Sequence, residues 1–179
     1  LKALLPDTVL RRRVAIPALI RLRGSAGADR GTFSPASTLS ADGGELSVKG
    51  RFNPREQSYD AAIRADSFPL NSFLPADSLG IVDLALQARG TGFDPLLPRT
   101  RTSLRAQIDR AEFGGRDFGG IELDAELDSQ RLSGRISDRD EALRLLLSVS
   151  GTLTEREQRI GLSGSVFGFD LAALGVSPE

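Results

Sequence analysis

The chain has 179 residues, 40% of them hydrophobic and 26% charged, a balance that excludes both a disordered chain and a bundle of membrane-spanning helices. A formal net charge of -1 gives bulk electrostatics no hold on nucleic acid or on an acidic substrate. Cysteine and histidine are both absent, which removes disulfides, thiolate and imidazole metal ligands, the Cys nucleophile and the commonest general base. Catalysis would have to rest on carboxylates, Ser, Lys2, Lys49 or Tyr59. The reading is a non-enzyme with no catalytic residue, metal or cofactor, and no nucleic-acid partner.

The chain opens on Leu1 and contains no Met, so it reads as a segment of a longer polypeptide. Its first apolar run, "VAIPALI" (14–20), is broken by Pro17 and falls far short of the ~18 apolar residues that a bilayer span requires. No basic-then-apolar leader is present, which places targeting information outside the segment. Residues 14–41 look more like strand than helix, with Pro17 and Pro35 predicting weaker or edge strands there. The arginines Arg11 to Arg13, Arg21, Arg23 and Arg30 either solvate an outer strand face or touch anionic headgroups.

From residue 45 onward the dominant signal has period two. Leu46, Val48, Gly50 and Phe52 alternate with Glu45, Ser47, Lys49 and Arg51. Tyr59, Ala61, Ile63 and Ala65 follow, then Val82, Leu84, Leu86 and Ala88, then Leu104, Ala106 and Ile108. In "IELDAELD" (121–128), Ile121, Leu123, Ala125 and Leu127 alternate without a fault with four carboxylates. Leu132, Gly134 and Ile136 come next, then Leu143, Leu145, Leu147 and Val149, and last Ile160, Leu162, Gly164 and Val166. Successive strand side chains point to opposite faces, so each run makes one apolar and one polar face; a helix would scatter the same charges around its circumference.

Turn chemistry separates the runs: "ADGGE" (41–45), "FNPREQ" (52–57), "FGGRDFGG" (113–120), "DSQR" (128–131), "SDRDE" (137–141) and "TEREQ" (154–158). Short strands joined by tight polar turns predict an all-β, antiparallel meander. Its apolar face must be capped by helices, stacked on a second sheet, or curled on itself. No helix of adequate length is predicted. Glycines recur on the apolar side at Gly50, Gly90, Gly134, Gly151 and Gly164, and glycine within strands marks bends and close backbone approach. The expectation is therefore a meander curled into an open groove with an aliphatic interior, with a two-sheet sandwich core as the alternative. At 6% aromatic residues and no Trp, the interior has few of the large rings that usually fill a core.

The expected groove lining is Leu46, Val48, Phe52, Ile63, Val82, Leu84, Leu86, Leu104, Ile108, Ile121, Leu123, Leu127, Leu132, Ile136, Leu143, Leu145, Leu147, Val149, Ile160, Leu162 and Val166.

One stretch, "FPLNSFLPADSLG" (68–80), breaks the alternation. Leu70, Phe73 and Leu74 stand at i, i+3 and i+4 between Pro69 and Pro75, which predicts a one-turn helix with three apolar side chains on one side. Related clusters occur in "LKALLPDT" (1–8) and "FDLAALGVSP" (169–178). The cluster reads as a recurrent divider between strand blocks 9–78 and 79–179, pressing its apolar side chains onto the open face. Two other stretches carry no chemistry. "GTGFDP" (90–95) has Pro95 where a dinucleotide fingerprint needs Gly, and "SDRDE" lacks the glycine and distal Glu of a calcium loop and reads as a charged hairpin tip.

Long runs of amphipathic strands separated by an F-x-L-x-x-L/F turn resemble the AsmA-like superfamily. "GRFNPREQSYDAAIRADSFPLNSFLPADSLG" (50–80) followed by "LALQARGTGFDPLLPRTR" (84–101) is similar to TamB-type translocation and assembly module proteins of Bacteroidetes-type bacteria. The resemblance implies a β-taco, an incompletely closed sheet with a hydrophobic inner face, in the periplasm and held by an inner-membrane anchor outside this segment. It also implies phospholipid acyl chains as cargo between the inner and outer membranes, a part in outer-membrane protein assembly, and an Omp85-type barrel as partner. The alternative from the residues alone is a structural β-sandwich, spacer or adhesin module.

Overall fold

The structure, a computed structural model, describes residues 19–73, 79–114, 116–139 and 143–169. Within them the chain makes eleven strands: β1 (Ile20–Asp29), β2 (Thr32–Ala41), β3 (Gly44–Asn53), β4 (Ser58–Pro69), β5 (Leu79–Thr91), β6 (Arg101–Phe113), β7 (Arg116–Phe118), β8 (Ile121–Asp128), β9 (Arg131–Arg139), β10 (Leu143–Leu153) and β11 (Gln158–Phe169). The one helical element among the described residues is a 3-10 turn, Leu70–Ser72, between β4 and β5. All eleven strands belong to one antiparallel sheet in the order β1-β2-β3-β4-β5-β6-β8-β9-β10-β11, with the short β7 paired to β6 beside this path.

The sheet is a meander because its connections are hairpin turns. Arg30–Gly31, Asp42–Gly43 and Ser129–Gln130 all have positive φ at both positions, the backbone twist that a two-residue hairpin loop needs. At 53–57, the Asn53 side-chain oxygen accepts hydrogen bonds from the backbone N–H groups of Arg55 and Glu56 and so closes the turn.

The sheet stays open: among the described residues β1 and β11 are its two edge strands. Substantial contacts run between sheet neighbours, with β2 and β4 approaching across β3 and the 3-10 turn resting on β5. No second layer lies over the apolar face among the described residues, so the two-sheet sandwich raised as an alternative is not what forms. The curl shows at the glycines. A Cβ on Gly90, Gly134, Gly151 or Gly164 would strike the backbone oxygen of the next strand, on Arg101, Asp124, Arg159 and Leu146 respectively. Since a Cβ there points to the apolar side, the neighbouring strand has risen toward that side, and the sheet bends around it. Gly50, grouped with them from the sequence, has ordinary spacing instead.

Two sequence expectations need correction. Pro35 lies in β2, which is paired on both sides rather than at an edge; the β2–β3 ladder omits Ser34 and Pro35, where proline has no N–H to give. Asp138, expected at a charged hairpin tip, belongs to β9 and is buried on the apolar side, at the register position between Ile121 and Leu145. The copies of the divider at 1–8 and 170–178, and Leu74 of the central one, lie outside the described residues.

Candidate functional site

Strand register assembles the apolar face into four rows of side chains, each taking one residue from every strand of the main path. The first runs Leu22, Leu39, Leu46, Ala65, Leu84, Ile108, Ile121, Asp138, Leu145, Val166. The second runs Gly24, Ser37, Val48, Ile63, Leu86, Ala106, Leu123, Ile136, Leu147, Gly164. From β4 the third reads Ala61, Ala88, Leu104, Ala125, Gly134, Val149, Leu162, and the fourth Tyr59, Gly90, Thr102, Leu127, Leu132, Gly151, Ile160, with Phe52 and Phe33 continuing it into β3 and β2. A shorter row, Phe68, Val82, Ala111 and Phe118, lies beyond the first. Ten strands at a spacing of about 4.8 Å make each long row about 43 Å.

Every residue expected to line a groove falls on these rows except Leu143, whose backbone pairs with Phe169 beyond the end of the first row. The face is mostly aliphatic, interrupted by Ser37, Thr102, Asp138 and the rings of the fourth row, and bulky residues alternate with small ones: Leu132 and Ile160 flank Gly151, and Leu104 is followed by Ala125 and Gly134. Most of these side chains are half-buried by their neighbours alone.

The two long rims differ in chemistry from the floor. At one rim Phe93, in the connection after β5, packs on Phe52 and Tyr59, with ring centroids 5.1 Å and 5.9 Å apart. Tyr59 crosses the bare backbone of Gly90 to share a 2.6 Å hydrogen bond with Thr102, which satisfies its hydroxyl on an otherwise apolar surface. At the other rim the 3-10 turn seats Leu70 and Phe73 on the cluster of Ala65, Phe68 and Val82, and the Phe68 and Phe73 rings stack at 5.1 Å. The turn is closed by the Phe73 N–H donating to the Leu70 carbonyl at 3.0 Å. Pro69 sits one place earlier than a first helical position, ending β4 and capping the turn.

Sequence alternation missed several members of the face. Phe68 and Ala111 stand out of phase with their strands, because a bulge at Asp66–Ser67 in β4 and an extra residue at Asp109 in β6 shift the alternation by one. Two consecutive polar residues before Phe68 were the available signal. Leu22, Phe33 and Leu39 of the first hairpin were obscured by Pro35 and by runs of small residues.

The opposite face is polar and internally compensated. Asp60 pairs with Arg89 at 3.2 Å, Asp124 with Arg105 at 3.1 Å, Asp128 with Arg101 at 2.9 Å and Asp117 with Arg110 at 2.9 Å, all between neighbouring strands and all well exposed. Such pairs help fix register more than they add stability. Arg110 is held above the usual guanidinium range by its hydrogen bond to Asp117. Asp128 is held below the usual carboxylate range, first by the Ser129 hydroxyl and then by Arg101. An open depression of about 820 Å³ lies at one end of the sheet among Arg51, Asp60, Arg89, Arg101, Glu126 and Asp128. Arg89 and Arg101 are already engaged by Asp60 and Asp128. The uncovered aliphatic face is the stronger candidate for a site.

No family model, no curated protein and no solved structure matches the chain.

Proposed function

We propose that the apolar face is a trough for acyl chains, and that the protein is a TamB-like, AsmA-like segment moving phospholipid between the inner and outer membranes or supporting outer-membrane protein assembly. The observation that carries this reading is a largely aliphatic face continuous over ten strands, with no second layer over it among the described residues. An acyl chain offers many methylenes, each worth about 0.8 kcal/mol on leaving water, so a smooth aliphatic floor binds it without polar contacts. Small residues between large ones leave a shallow furrow rather than deep pockets, which favours sliding over trapping. Headgroups stay in solvent at the open seam. In this reading the segment works in the periplasm, tethered by an inner-membrane anchor and delivering to an Omp85-type barrel.

Native mass spectrometry of delipidated protein, before and after exposure to phospholipid, tests the trough. Bound lipid is expected for the native chain, together with photo-crosslinking from diazirine-bearing acyl chains to the floor. Leu86→Asp and Leu145→Asp, each placing a carboxylate on a row, should abolish the crosslinking while circular dichroism retains the β signal. Unchanged crosslinking in both folded variants would sink the trough and leave a spacer role.

A further inference from the structure

We propose that the free edge of β11 takes the β1 edge of a second copy of this chain, antiparallel and head to tail. The inference is independent of what the apolar face carries. Ten strands lie on the main path and every neighbouring pair is antiparallel, so the first and last strands run in opposite directions. A second copy displaced along the sheet, following its twist, therefore presents β1 to β11 in the antiparallel sense that the rest of the meander uses.

One register continues the four apolar rows across such a junction. It sets Leu22 opposite Val166, Gly24 opposite Gly164, Ala26 opposite Leu162 and Ala28 opposite Ile160, so Leu162 and Ile160 of β11 each meet an alanine of β1. On the polar side it sets Asp29 opposite Arg159 and Arg23 opposite Ser165, and no like charges face each other directly. Among the described residues no strand pairs with the outer edge of β1 or of β11. Every residue of β1 is exposed, and on β11 Ile160, Leu162 and Val166 are 62%, 63% and 58% exposed. Ile20–Asp29 and Gln158–Val166 contain no proline and no inward-pointing charge; the bulge of β11 at Phe167 lies beyond the paired stretch, and the charges of both edges stand on the polar side. The contact joins two different surfaces, so copies add head to tail.

Because the chain has no cysteine, the register can be read by single cysteines placed on separate copies. Mixtures of Ala28→Cys with Ile160→Cys chains, and of Ala26→Cys with Leu162→Cys chains, should give disulfide-linked heterodimers under mild oxidation. Ser25→Cys mixed with Leu162→Cys, whose side chains leave opposite faces, should give none. In sedimentation, the weight-average mass of the native chain should rise with concentration, and Leu162→Lys should abolish the rise. A monomer at all concentrations, or equal crosslinking in the mismatched mixture, would overturn the proposal. Since Leu162 is already exposed, its replacement leaves the fold intact, and circular dichroism verifies that.

Discussion

The corner where β4, the 3-10 turn and β5 meet and the far end where β10 meets β11 share one sequence alternation and have opposite fates. At the corner Phe68 is 2% and Val82 5% exposed, covered by Leu70 and Phe73. At the far end Ile160, Leu162 and Val166 remain more than half exposed. Residues of the same kind, on the same face of the same sheet, thus form a packed core in one place and bare surface in the other. Alternation chooses the side of the sheet; coverage comes from a bulge and a single turn of chain. The same contrast separates the rims, since the aromatic contacts of Phe52, Tyr59, Phe68, Phe73 and Phe93 all lie between β3 and β6. From β8 to β11 the four long rows are aliphatic or glycine except at Asp138.

The largest effect that should expose this contrast is on stability. Phe68→Ala leaves a void under the 3-10 turn and is expected to cost about 3–5 kcal/mol, as for other buried phenylalanines. Ile160→Ala, on the same face, should cost less than about 1 kcal/mol, because most of its surface already meets water. Urea denaturation of both variants measures the difference, and equal costs would mean that the far end is covered.

A smaller contrast lies within β11 itself. Gly164 faces the bend, where a Cβ would meet the Leu146 carbonyl and the Leu147 side chain, so Gly164→Ala should destabilise by about 1–3 kcal/mol. Three residues away Gly161 faces the polar side with ordinary spacing, and Gly161→Ala should stabilise by about 0.4–1 kcal/mol through the unfolded chain. The signs of the two shifts in thermal midpoint decide whether the sheet bends toward its apolar side.

The smallest expected effect concerns the polar face. Asp128 titrates below the ordinary carboxylate range, mainly because the Ser129 hydroxyl donates to it at 2.9 Å and secondarily because Arg101 does. A depressed folded-state value means that any stabilisation is present above the unfolded-state pKa and lost as pH falls through the folded one. Ser129→Ala should move the Asp128 carboxyl titration upward in an NMR pH series; an unmoved titration would assign the depression to Arg101.

Much of the sheet was legible because strand alternation is a local property. "IELDAELD" marked β8 from its first residue to its last, and "ADGGE" and "DSQR" announced turns whose φ values require them. "FPLNSFLPADSLG" announced a single helical turn, with Leu70 and Phe73 packed on the apolar cluster. Less legible was anything that depends on a count of residues in a partner strand. The extra residue at Asp109 becomes a bulge only against β5, and it returns Ala111 to the apolar side against the parity of Ile108. The short β7 within "FGGRDFGG" pairs only because β6 runs on to Phe113.

The sequence by itself determined which residues form strands, where the hairpins turn and which side of each strand is apolar, because those follow from a two-residue period and from local backbone preference. Only the tertiary structure decided that the sheet remains a single open layer, that Phe68 and Val82 are sealed while Ile160 and Leu162 are not, and that Asp138 lies buried among aliphatic side chains. Burial is fixed by neighbours distant along the chain, and a one-residue bulge in any of them exchanges inside for outside.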